Sequence, residues 1–138
     1  MKTNEVKPVS RLKITEVMGR AKFIRHEDKM ILKFDPSHLE RIEDLKRVVE
    51  YFKTMVEKMP KGSLLALVDF SGLADEDEVF DQMVKLSKFC GPHVRASAIV
   101  AKDPASTRLA KAVINHFAKI NMPFFEEEDS AKKWLFSQ

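Results

Sequence analysis

The residues best able to do chemistry crowd into one stretch: Asp69, Ser71, Asp75, Glu76, Asp77 and Glu78. Carboxylates this close could hold a hard cation such as magnesium through their oxygens. An aspartate at the end of an apolar run, with Lys102 after a later strand, is also part of what a phosphoryl-accepting receiver domain uses. Such a domain needs an acidic pair after an early strand, and the chain has only Asp35 there. A plainer reading is that Asp75 to Asp77 open a helix, because negative side chains are favoured at its positive N-terminal end. Ser71-Gly72 lies outside any Gly-x-Ser-x-Gly nucleophile pattern and reads as a turn.

Other groups are weaker still. Cys90 and His93 have the two-residue gap of a zinc-ligand pair, but a structural zinc site needs four ligands and no second pair exists. His116 falls on an apolar helical stripe and is expected as a hydrogen-bonded core or boundary imidazole. Arg95, Lys102, Arg108 and Lys111 could make a basic patch, yet no glycine-rich phosphate loop accompanies them, so a solvated face is expected. No acid–base, nucleophile or metal set converges, and the expectation is a non-enzymatic protein with no cofactor and no bound metal.

These residues are positioned by elements that the hydrophobic pattern predicts. Lys22-Phe23-Ile24-Arg25 and Lys29 to Phe34 read as the two strands of a hairpin around His26-Glu27-Asp28. Ile42, Leu45, Val48, Val49, Phe52, Met55, Val56 and Met59 make a helical stripe that stops at Pro60 and Gly62. Leu64 to Asp69 suits a central strand covered on both faces. A second helix carries Val79, Phe80, Met83, Val84, Leu86 and Phe89 and ends at Gly91-Pro92. Val94 to Val100 is the next strand, and Asp103 then caps a third helix with Pro104 at its first position. That helix bears Leu109, Ala112, Val113, His116, Phe117 and Ile120. Pro123-Phe124-Phe125-Glu126 is a short last strand, and Asp129-Ser130 opens a last helix with Ala131, Trp134 and Leu135. Strands alternating with helices predict an α/β fold: a mixed sheet of about five strands with an N-terminal hairpin, flanked by about four helices.

Composition sets the outer limits. The chain has 138 residues, of which 44% are hydrophobic, enough for one buried core and too apolar for general disorder. Residues 1–20 are expected to be a loose polar leader and 21–138 a single domain. A net charge of +3 gives no ground for expecting nucleic acid. No apolar run approaches the roughly 20 residues of a membrane span, and one cysteine permits no internal disulfide. With no apolar signal-peptide core near Met1, a cytoplasmic setting is expected.

The pattern resembles the SpoIIAA-like family, a branch of the STAS domains (sulfate transporter and anti-sigma factor antagonist). The resemblance runs from about Lys22 to Phe136. It is carried by the hairpin, the long helix ending at Met59, the run Leu64 to Leu73, the strand Val94 to Val100, and the closing Pro123-Phe124-Phe125-Glu126 with Asp129 to Leu135. It implies a bacterial type of regulatory domain that works through protein contact, without a known catalytic centre. It also implies a serine, phosphorylated by a partner kinase, at the start of the helix after the central strand. Counting on from Asp69 brings that position to Asp77-Glu78-Val79, and no serine or threonine lies between Ala74 and Lys85. Some members evoke a lipid-exchange fold, which would need an apolar pocket between sheet and helices. Phe52, Phe80, Phe89, Phe117 and Phe124 could line one, though a solid core is the expectation for a close-packed interior.

Two functions follow as expectations. The first is an interaction domain whose contact surface, for a protein partner or a second copy in a homodimer, uses the Asp69–Asp77 loop and the second helix. Asp69, Ser71, Asp75, Asp77, Glu78, Phe80 and Met83 are its candidate residues, because the apolar arc of that helix is wide for a core-facing stripe. The second is a binding module for a small apolar ligand or lipid. Lys22, Arg25, Lys29 and Lys33 are expected to guard the hairpin as a free sheet edge.

Overall fold

Apolar alternation becomes strand and helical-period stripes become helix in a computed structural model describing residues 9–117 and 122–138. The strands are β1 (Ala21–His26), β2 (Lys29–Phe34), β3 (Leu64–Asp69), β4 (Val94–Val100) and β5 (Phe124–Phe125). The helices are α1 (Ile14–Gly19), α2 (Ile42–Val56), α3 (Asp77–Cys90), α4 (Pro104–His116) and α5 (Glu128–Phe136). One sheet runs in the order β1-β2-β3-β4-β5, with β1 antiparallel to β2 and every other pair parallel. Among the described residues no helix is long and apolar enough to cross a membrane.

Because strand order follows chain order, right-handed crossovers put α2, α3 and α4 on one face of the sheet. Their stripes pack with Leu32, Phe34, Leu64, Ala66 and Ile99 in the larger core. Phe34 and Phe52 stack there with ring centroids 4.6 Å apart. The opposite face, Ile31, Leu65, Leu67, Ala96, Ala98 and Val100, is closed by Ala131 and Leu135 of α5. Ile120, expected on the third helix, lies outside the described residues.

Three expectations change. From Val9 on, the supposed leader is ordered: Asp44 Oδ1 accepts from Ser10 Oγ at 2.7 Å and from Arg11 N at 3.0 Å, and Arg47 Nη1 donates to Leu12 O. The short α1 that follows buries Val17 and packs on α2. Lys29 and Lys33 guard no edge, because β2 is paired on both sides; Lys29 Nζ donates to Phe136 O at 2.7 Å and Lys33 pairs with Glu128 of α5. Among the described residues β1 is the edge strand of the hairpin, with Lys22 and Arg25 exposed on it. Finally, Val79, Met83, Val84 and Leu86 of the wide arc on α3 are all buried within the chain. The helix lies between α2 and α4, and a middle helix needs a broader apolar face than one at a margin.

Asp103 joins the two halves of the helix-bearing layer. Its Oδ1 accepts from Ser106 Oγ at 2.6 Å and from Gly72 N at 2.7 Å, and its Oδ2 accepts from Ser106 N at 3.1 Å. The hydrogen bonds from Ser106 and Gly72 hold its pKa down to about 2. A depressed carboxylate stabilises the fold above its ordinary pKa of 3.8 and loses that contribution as pH falls through about 2. Asp103→Ala is expected to cost about 1–2 kcal/mol of unfolding free energy near neutral pH. Urea titrations should show the variant and wild type converging between pH 4 and pH 2; an equal gap at every pH would contradict the assignment. Asp44→Ala is expected to lower stability by about 1–2 kcal/mol and to open the chain near Arg11 to trypsin, read by mass spectrometry of the fragments.

Candidate functional site

The acidic loop folds onto itself. At the end of β3, Asp69 Oδ1 accepts from Ser71 N at 2.9 Å, the local turn that aspartate favours. Ser71 O accepts from His38 N at 2.9 Å. Gly72 follows with φ of 74°, and a Cβ there would lie 2.1 Å from His38 Nδ1, so both conformation and space demand glycine. Ser71 is 5% exposed and its Oγ has no hydrogen-bond partner among the described residues. Asp75 Oδ2 pairs with Arg108 Nε at 3.2 Å on the surface. Asp77 and Glu78 are exposed in the first turn of α3, which starts at Asp77 rather than Asp75. Phe80 is half-buried with its ring edge-on to His116 at 6.1 Å, and Met83 is 1% exposed in the core. These seven candidates therefore do not form one surface. Among the described residues no group of three or more His, Cys, Asp or Glu could hold a metal ion.

The weaker candidates separate as well. Cys90 is buried, its thiol pushed up to about 12 by that burial despite the opposing charge of Lys53, while His93 Nδ1 lies 2.7 Å from Met59 O. A thiol held neutral is neither nucleophile nor ready metal ligand. His116 is exposed rather than at the core boundary. Of the four basic residues expected on a solvated face, Arg108 pairs with Asp75, and Lys111 lies over the Phe124 ring.

Between the sheet and α3 lies a partly open cavity of about 350 Å³. Ala66, Val68, Ser97 and Ile99 form its sheet side; Met83, Leu86, Ser87 and Cys90 face them from α3; Phe52, Phe70, Phe117 and Met122 close it. Its origin is local. Ala66 and Ser97 are register partners, so two small side chains meet where a core would usually place large ones. β5 pairs with β4 only at Ile99 and Val100, which leaves Val94 to Ala98 without a neighbour on that side among the described residues. At the other end of β4 the register slips: Leu64 pairs with Val94 and Leu65 with Ala96, which makes Arg95 the extra residue of a bulge. Arg95 is exposed and also lines the cavity.

The solid core expected from the sequence is thus incomplete. Of the five phenylalanines considered for a pocket, Phe52 and Phe117 line it; Phe80 and Phe124 pack on the core, and Phe89 is exposed beneath Lys53. Of the seven candidate contact residues only Met83 reaches the cavity. Ala66, Arg95 and Ser97 line the cavity without standing out in the sequence as ligand contacts. Their signal lay in the strand Val94 to Val100, where arginine, alanine and serine stand among positions that a filled interior would give to larger apolar side chains.

The sequence pattern of the SpoIIAA-like family matches residues 31–136, from within β2 to the last turn of α5. Among solved structures, an uncharacterised protein with a SpoIIAA-like fold from Shewanella loihica PV-4 has a similar fold. The TM-score is 0.64 and the identity 21%, over 83% of this chain and 91% of that one. No match was found among the curated proteins. The matched span contains both walls of the cavity and all of the sheet from Ile31 onward, and the chain belongs to the SpoIIAA-like family.

Proposed function

We propose that this protein is a non-catalytic binding module that takes a small apolar molecule into the cavity between the sheet and α3. The observation that carries the reading is the cavity itself: about 350 Å³, walled mainly by aliphatic and aromatic side chains. Small-molecule sites have this character, with volumes of roughly 300–1,000 Å³ and a few polar groups. Ser87 and Ser97 supply such groups.

The alternative is an interaction surface on the Asp69–Asp77 loop and α3, in cytoplasmic regulation or self-association. It keeps Asp75, Asp77, Glu78 and Phe80 as contact residues. It is less well supported, since Val79, Met83, Val84 and Leu86 are spent inside the chain. The first turn of α3 also offers Asp77 and Glu78 where the family resemblance expects a phosphorylatable serine, so regulation by phosphate at that position is not part of this proposal.

A ligand that binds only the folded state stabilises it by about 2.7 kcal/mol at a hundred times its dissociation constant. Decanol is therefore expected to raise the melting temperature by several degrees. Ser97→Leu, which fills the cavity, is expected to abolish that rise while leaving the unliganded protein as stable or about 0.5–2 kcal/mol more so. Differential scanning calorimetry reads both. An unchanged melting temperature in wild type, or an equal rise in the filled variant, would remove the cavity from the account.

A further inference from the structure

We propose that the cavity's ligand is a single-chain carboxylate, an amphiphile whose alkyl tail lies in the cavity and whose head pairs with Arg95. This rests on the cavity being a ligand site and adds to it the chemistry of the head group.

The lining is one-sided in charge. Arg95 is its sole ionised side chain among the described residues, and no aspartate or glutamate faces it there. Arg95 has no carboxylate within ion-pairing distance among the described residues, although the chain's other ion pairs engage Arg41, Lys33, Lys53, Arg108 and Lys132. A guanidinium left exposed beside an apolar cavity presents paired N–H donors to solvent and an apolar interior behind them. A carboxylate matches such a fork through two parallel hydrogen bonds. A single positive charge balances one carboxylate, whereas an ammonium head would be repelled.

Geometry agrees with charge. Arg95 is the extra residue in the bulge opposite Leu64 and Leu65, and bulges re-aim side chains beside functional sites. From Arg95 the sheet side of the cavity continues through Ser97 to Ile99, with Met83 and Leu86 across from it. At the rise of a β-strand those four steps span roughly 13 Å, which suits an extended alkyl tail of medium length. The tail gains by leaving water, and the head stays at the rim, where Arg95 is solvated and no charge need be buried.

Isothermal titration tests this with decanoate and decanol, both below the concentrations at which they aggregate, at pH 8 and low salt. Wild type is expected to bind decanoate about ten times more tightly than Arg95→Gln does. Decanol should bind both proteins alike, and Arg95→Lys, which supplies the charge without the fork, should keep only part of the preference for decanoate. Raising the salt should narrow the difference for decanoate and leave decanol unchanged. If decanol binds while wild type and Arg95→Gln take decanoate equally, the head-group assignment is wrong and the cavity reading stands. If neither compound binds wild type, both fail. Arg95 is exposed, so the variants are expected to fold, with unfolding curves matching wild type.

Discussion

Everything in this structure depends on burying both faces of β3. Leu64 and Ala66 face one core and Leu65 and Leu67 the other, and all four are nearly inaccessible. A strand in that position cannot tolerate an uncovered side, so one helical layer must lie above it and another below. The three helices α2, α3 and α4 arrive on one side as a consequence of sequential right-handed crossovers. The other side is left to α5 alone, and its narrower footprint is met by small side chains, Ala96 and Ala98, on β4.

That constraint explains which parts of the fold are legible in the amino-acid sequence. β3 announces itself as an unbroken apolar run, and α2 and α4 as clear stripes with capping signals at Asp103 and Pro104. The helix α1 does not, since it has only six residues and one buried side chain, Val17, so its pattern is too short to carry a period. The roles of Lys29 and Lys33 were equally hidden. Their partners are Phe136 and Glu128, near the other end of the chain, and charge on a strand looks the same whether it faces solvent or a distant helix.

The candidate site was harder for a different reason. Periodicity reports which residues turn inward; it does not report whether the inward volume is filled. The wide arc on α3 suggested an outside partner, when the partners were α2 and α4. A cavity arises from side chains that are too small, and the pairing of Ala66 with Ser97 appears only once the register between β3 and β4 is known. The bulge at Arg95 is of the same kind, a property of two strands together that neither shows alone.

The matching of strand order to chain order has a consequence for synthesis. As the chain leaves the ribosome from its N-terminus, the hairpin and each following strand–helix unit can dock on what has already emerged, because each new strand lies beside the last. The face carrying Ile31, Leu65 and Leu67 follows another timetable. It stays uncovered until α5 has been made and returns across the sheet, and Lys29 reaches Phe136 over a separation of 107 residues. Until α5 emerges, the growing chain thus carries a nearly finished sheet with one apolar side open.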